Sequence, residues 1–327
     1  MRVRFVGLIV ATLLATTLGS GCNPDKNKLL FKPQPNAKQS VDTEDVMNFS
    51  INLMGVQLGF GAATESSFEM IPQSVDESGT VTLEVIFKSM KVELTGLDAL
   101  MGSMPGRGAS ATVTTDDPQG LKAMHAAVKT VEGQSFTATV SKFGEVLEVR
   151  GADALSEKAA AAYKAPKGLP SPPVPIRTTF RESLGDDAMK NTLAHVFVAR
   201  PDKKLRAGDN WQGTMTRANA FVEATQATTF TVKERAGGVV TVDSLAQVDI
   251  RPHGDLLGSG GNGFDVTLEI SGQGAGTMQF DETTGWLKDW TGTGTIPGNI
   301  SVKAPQLGSQ SLPIELSYKS VVKTVPI

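Results

Sequence analysis

The sequence predicts an α+β domain, a large twisted antiparallel sheet with about three helices packed on one face. Three observations carry this prediction. Apolar and polar residues alternate with a period of two over many stretches, as in strands buried on one side. Helical spacing is confined to residues 118–198. Of the 327 residues 40% are hydrophobic, enough to fill a core, while 34 Gly and 17 Pro supply turns. Alternation alone does not choose between an open sheet and a half-barrel, or between one array and two related β-halves.

Composition excludes several classes at once. A net charge of −3 offers no basic face for nucleic acid. Three His and one Cys cannot build a structural zinc site or a disulfide framework. No metal or cofactor is expected.

The chain opens with Arg2 and Arg4, then runs uncharged from Phe5 to Leu18. That run is shorter than the roughly 20 residues of a spanning helix and matches the apolar core of an export signal. Gly19-Ser20-Gly21 lead into Cys22, the only cysteine. The plain alternative is a secreted protein cut nearby, with Cys22 incidental. The arrangement resembles the lipobox of bacterial lipoproteins, although the usual leucine three residues before the cysteine is replaced by Gly19. That resemblance implies that residues 1–21 are removed and that Cys22 is lipidated as the new N-terminus. Acyl chains at one site hold firmly, since each buried methylene contributes about 0.8 kcal/mol. The mature chain would be 21 residues shorter and, without Arg2 and Arg4, more acidic by two charges. Residues 22–42, with Pro24, Pro33 and Pro35, read as the lipidated Cys and a polar tether, and 43–327 as a single domain.

Within that domain Val81, Leu83, Val85 and Phe87 point one way; after Ser89 the parity passes to Met90, Val92 and Leu94, which predicts a bulge or bend. Pro118–Val131 places Leu121, Met124, Ala127 and Val128 on one helical face behind Asp116-Asp117. Phe136, Ala138 and Val140, the turn Lys142-Phe143-Gly144, and Val146, Leu147 and Val149 form a hairpin. Ala152–Tyr163 is an Ala-rich helix opening on Asp153. Lys164–Arg177 holds five prolines and must be an extended connector. Phe180–Val198 is the third helix, with Leu184, Met189, Leu193 and Val196 at helical spacing. Further strands follow at Phe230–Val232, after Gly237-Gly238, at Phe264–Ile270, around the turn Asp281–Gly285, and at Ile314–Tyr318.

Two blocks recur. Ser78-Gly79-Thr80-Val81-Thr82 is similar to Gly237-Gly238-Val239-Val240-Thr241, and Gly133-Gln134-Ser135-Phe136 to Gly272-Gln273-Gly274-Ala275. Their spacing differs, so chance and a duplication (about 45–163 and 205–320, joined by the Pro-rich connector and third helix) both stand as readings. Two such halves would pair most simply into one continuous sheet. Taken in order with Leu205-Arg206-Ala207-Gly208-Asp209-Asn210-Trp211 and Phe280-Asp281-Glu282-Thr283-Thr284-Gly285-Trp286-Leu287, these blocks resemble an uncharacterised family of bacterial exported lipoproteins, a domain of unknown function, over roughly residues 45–300. The order of the blocks carries the match, and it brings no functional residues. A second, architectural likeness is to carriers that hold a lipid under a curved sheet, such as the periplasmic lipoprotein-localisation carriers.

The chemistry-bearing residues form no constellation. His195 sits in an apolar helix end, and no Gly-x-Ser-x-Gly motif lies near it, so it reads as a structural histidine. His125 reads as a helix-surface residue. His253 with Asp255 supplies two ligands, too few for a metal. Asp116-Asp117 and Asp186-Asp187 read as helix caps, and Asp281–Gly285 as a turn without calcium-loop spacing. The Gly-rich run 256–263 lacks the helix a phosphate cradle needs, and Met101–Gly108 reads as a surface loop.

These readings predict a non-enzymatic, lipid-anchored cell-envelope protein, on a periplasmic or surface face, that binds a lipid or other hydrophobic ligand. The alternative is a scaffolding lipoprotein presenting a sheet edge to an envelope protein. Its partners are then the membrane, reached through Cys22, and that ligand or protein. An enzyme would show His195 facing a cleft beside an acidic residue.

Overall fold

Eleven strands form one open antiparallel sheet, built as two runs of hairpins that meet in its middle. A computed structural model describes residues 25, 27–53, 56–95, 119–165, 175–218, 222–252, 265–304 and 308–327. The first run is β1 (Gln39–Leu53), β2 (Val56–Val75), β3 (Val81–Thr95), β4 (Ser135–Val140) and β5 (Val146–Arg150). Helix α1 (Gln119–Lys129) lies between β3 and β4; α2 (Ala152–Ala162), α3 (Ile176–Leu184) and α4 (Asp186–Phe197) follow β5. The second run is β6 (Asn210–Ala218), β7 (Val222–Ala236), β8 (Val239–Pro252), β9 (Asp265–Asp281), β10 (Leu287–Ala304) and β11 (Gly308–Pro326). Strand order is β5-β4-β3-β2-β1-β11-β10-β9-β8-β7-β6. The last strand therefore lies beside the first, in register from Gln39–Pro326 to Ile51–Ile314.

This corrects the expected α+β domain to a sheet-dominated fold. Among the described residues no helix exceeds 12 residues, whereas β2 runs for 20. The expected third helix is two, because Gly185 breaks it. Its extended backbone turns the corner where a Cβ would stand 2.5 Å from the Arg181 carbonyl and 2.8 Å from Asp153 Oδ1. Strands β1, β2 and β6 carry little apolar alternation, because Thr43, Asp45, Thr64, Ser66 and Gly213 occupy inward positions. They went unread for that reason.

Where alternation is clean, the strands fall where it predicts. The parity switch in β3 is a bulge: Ser67 pairs Ser89 but Phe68 pairs Phe87, leaving Lys88 extra. Its Nζ donates to Glu69 at 3.0 Å, and Glu69 also accepts from Lys38 at 2.9 Å. Those two bonds hold the Glu69 carboxyl below its usual range. A second shift, between Thr139 and Val140, leaves Leu147 unpaired and exposed.

The interior divides into two apolar clusters. The larger lies at the hairpin-turn end and joins β3–β5, the helices and the near ends of β7–β11. Leu29 and Phe31, expected to belong to the tether, enter it. Phe31 is 1% exposed and meets the rings of Trp286 (4.9 Å) and Phe197 (5.1 Å) edge-on. Its N–H donates to the Lys142 carbonyl, and the Lys32 N–H to that of Thr284. The smaller cluster lies farther along the same concave face and comprises Ala246, Val248, Ile250, Leu268, Ile270, Ile296, Ile314 and Leu316.

The convex face carries Asp249, Glu269, Gln273, Thr277, Thr293, Glu315 and Lys319. A lipid-facing barrel wall needs apolar side chains at such positions, so these strands face water. Among the described residues no helix is long and apolar enough to cross a membrane.

Phe31 packs between Phe197 and Trp286, so its truncation opens the main core. Phe31→Ala is expected to lower unfolding stability by about 3–5 kcal/mol in urea titration, whereas a merely tethering segment would tolerate it within error.

Candidate functional site

Between the two clusters the register strips the concave face of bulk. Asp45 pairs Ser320, Ser320 pairs Gly292, Gly292 pairs Gly276, and Gly276 pairs Ser244. One inward-facing row across β1, β11, β10, β9 and β8 thus holds no large side chain. The next row reads Met47, Tyr318, Gly294, Gly274, Ala246, Thr228 and Gly213, from β1 to β6. The strands stand about 4.8 Å apart, so four strand steps make the first row a furrow roughly 19 Å long.

Two aromatic side chains lie flat in this furrow because glycines make room. An added Cβ at Gly274 would collide with the Tyr318 hydroxyl, and one at Gly294 would stand 2.5 Å from its ring. Trp290 presents its indole edge to Gly292, with Cζ2 3.2 Å and Nε1 3.4 Å from where a Cβ would sit. Burial pushes the Tyr318 hydroxyl pKa up, so it stays neutral.

A roof converts part of the furrow into a cavity. Ala194, His195, Val198 and Ala199 at the end of α4 face Phe230, Ser244, Met278 and Trp290, and the β4–β5 turn at Gly144–Val146 adds a wall, around about 240 Å³. An adjoining chamber of about 120 Å³ extends to Asp45, Met47, Leu316, Tyr318 and Ser320. His195, Met215, Gln226 and Trp290 line both. Together these fall at the lower end of small-molecule pockets, which begin at about 300 Å³.

Arg200 secures the roof from beneath. It is 5% exposed, donating through Nη2 to the Phe197 carbonyl (2.8 Å) and through Nε to the Val198 carbonyl (3.2 Å). Its guanidinium also sits 4.7 Å over the Phe280 ring. A cation at a helix C-terminus also meets the negative dipole end. Burial lowers its pKa to about 9, so it remains charged at neutral pH. It holds Val198 in a positive-φ turn (46°) that a β-branched residue rarely adopts, and Gly144 packs against the same carbonyls.

His195, read from sequence as structural, lies in the cavity wall with its ring stacked on Trp290 at 5.7 Å and 17°. Asp45 lines the adjoining chamber and accepts from the Ser320 hydroxyl. His125 lines a small separate pocket between α1 and α3. The Asp186 carboxylate caps a neighbour: it accepts from the Asp153 N–H (3.0 Å), and the Asp153 carboxylate accepts from the Asp186 N–H (3.0 Å). Asp281 accepts from the backbone of Thr283 and Thr284 and forms the expected turn. Among the described residues no group of three or more His, Cys, Asp or Glu is placed to hold a metal. Cys22, Asp116-Asp117, His253, Asp255, the Gly-rich run 256–263 and Met101–Gly108 lie outside the described residues. Sequence reasoning missed Met215, Gln226, Thr228, Ser244, Trp290 and Tyr318. One signal was available: glycine at every second position, Gly272, Gly274 and Gly276 facing Gly292 and Gly294, marks an inward face without side chains.

A family model matches residues 78–287. The chain belongs to DUF6263, a family of unknown function. The matched span of this family covers the helices, the roof and β6–β9, and stops before Trp290, Ser320 and Tyr318. No curated protein matches the chain. Among solved structures it is similar to lipovitellin, in a structure concerned with lipid–protein interactions, at 12% identity and a TM-score of 0.42. That likeness covers 89% of this chain and 25% of the other, so the chain spans about a quarter of lipovitellin's length. It is also similar to Neisserial surface protein A (8% identity, TM-score 0.20, 87% and 96% covered). An outer membrane channel from Pseudomonas putida F1 follows at 9% identity and TM-score 0.18, with 90% and 97% covered. TM-scores this low do not establish a shared fold, and these likenesses assign no function.

If the furrow depends on bare glycines, Gly274→Ala should drive Tyr318 off its seat. The expected loss is about 1–3 kcal/mol of stability. In a Tyr318→Ala background the same substitution should cost less than half as much, which a double-mutant cycle by denaturant unfolding would measure.

Proposed function

We propose that this chain is a non-enzymatic, lipid-anchored protein of the cell envelope that holds a hydrophobic ligand on the concave face of its sheet. The observation that supports the reading is the cavity: an apolar space flanked by Met215, Phe230, Met278 and Trp290, roofed by α4, in a sheet whose outer face is polar. A water-filled furrow of that composition would leave apolar surface exposed, while a hydrocarbon chain would bury it at about 25 cal/mol per Å². The export segment and Cys22 support the anchor. In this reading acyl chains on Cys22 keep the acidic domain at the membrane, and residues 28–33 connect the anchor directly to the core beneath the cavity.

Two variants test the two halves of the proposal. Cys22→Ser should abolish incorporation of labelled palmitate and move the protein from the membrane to the soluble fraction. Ala194→Phe should fill the cavity from the roof at a small cost in helix propensity. It should reduce lipid recovered with the purified protein, measured by mass spectrometry, to background with an unchanged circular dichroism spectrum. Equal lipid on the wild type and Ala194→Phe would overturn the cavity as the site. A wild type without lipid that instead retains one stable protein partner would favour the scaffold.

A further inference from the structure

Trp290 brings a buried donor to the cavity. Trp290 is 7% exposed, and its Nε1–H has no hydrogen-bond partner among the described residues. A lone buried N–H forfeits its hydration without return, and such groups in native proteins are rare enough to require a cause. The contrast with Trp211 is instructive, since its Nε1–H donates to the Ala199 carbonyl at 3.0 Å. The Trp290 indole is held by stacking on His195 and by the bare floor at Gly292, with its nitrogen edge toward that glycine in the furrow. It also lines both chambers, so an acceptor placed there would lie where they meet.

The lining then limits the charge of the ligand. Among the described residues no Lys or Arg lines either chamber, and the carboxylates that do are Glu145 at one and Asp45 at the other. Arg200 is spent on backbone carbonyls and the Phe280 ring behind the wall. A free carboxylate drawn into this space would lose its hydration without gaining a cation and would meet acidic groups, an unfavourable exchange. The other polar groups include the His195 ring, the Thr228 hydroxyl, which accepts from Gln226 at 3.1 Å and keeps its own proton to donate, and the Ser244 hydroxyl. Hydroxyl and indole donors beside the apolar side chains of Met215, Phe230 and Met278 match an uncharged carbonyl on a hydrocarbon chain.

We propose that the ligand is a neutral acyl ester, its chain lying in the two adjoining chambers and its carbonyl oxygen accepting the Trp290 Nε1–H. This rests on the cavity reading above and names the chemical class it selects. Trp290 is then a specificity-determining residue: it separates acyl esters from plain hydrocarbons by a hydrogen bond and from fatty acids by the absence of a counter-charge.

Three fluorescent probes test this on the delipidated mature protein at pH 8, where a fatty acid is charged and an ordinary histidine is neutral. They are cis-parinaric acid methyl ester, cis-parinaric acid and the hydrocarbon diphenylhexatriene. The ester should bind at least about tenfold more tightly than the acid. Trp290→Phe, which keeps an aromatic ring and removes the N–H, should weaken the ester about threefold to tenfold more than it weakens the hydrocarbon. In wild-type protein labelled with ¹⁵N-tryptophan, saturating ester should move the Trp290 indole resonance downfield and leave that of Trp211 in place. This measurement and the wild-type ester-to-acid ratio decide the question even if the variant folds poorly. Acid binding as tight as ester, or an indole resonance unmoved by bound ester, would overturn the acyl-ester assignment while leaving the cavity as a site. Failure of all three probes to bind would overturn both.

Discussion

Everything in this molecule depends on the pairing of its first strand with its last. Along β1 and β11 the ladder runs from Gln39–Pro326 to Ile51–Ile314, and it turns two separate runs of hairpins into one sheet. Such a pairing closes a loop of nearly the whole chain, so its entropic cost must be met by packing on the concave side. Val41 and Val322 from the two strands do enter the main core, and residues 28–33 bring the segment before β1 into the same cluster. The ladder also sets the polar end of the furrow, because only in this register does Asp45 stand beside Ser320.

The furrow is a departure from what stability alone would select. Glycine inside a strand costs about 0.5–1 kcal/mol relative to alanine, and protein interiors are otherwise packed without gaps. Yet Gly272, Gly274, Gly276, Gly292 and Gly294 all face inward in β9 and β10. Where a sequence breaks a local rule so consistently, function is the usual reason. The glycines seat Tyr318 and Trp290, and the remaining space lies between two filled clusters. The roof above it is held by means that contain no ion pair: Arg200 serves carbonyls and a ring, and Asp153 and Asp186 cap each other's helices.

Much of the sheet was legible in the sequence wherever inward positions were apolar. Val81–Phe87 with its parity switch, the 136–149 hairpin and the Gly237-Gly238 turn all lie where alternation places them. The α+β assignment failed because β1, β2 and β6 mix Thr, Ser, Asp and Gly into their inward faces, so a period of two is present in space and faint in hydropathy. Leu29–Phe31 read as tether because three apolar residues between prolines have no period at all. Their burial comes from Trp286 and Phe197, more than 150 residues away in the chain.

By itself the sequence determined the strands whose inward positions are apolar, their turns and the stretches that form the short helices. These follow from local rules: side-chain alternation and glycine and proline geometry. Only the tertiary structure decided that the strands form a single sheet, and that His195, Asp45, Trp290 and the paired glycines share one space. Register is the reason. A shift of one residue in any ladder would send Gly274, Gly294 or Ser244 to the water-facing side, and register is settled by packing between segments far apart in the chain.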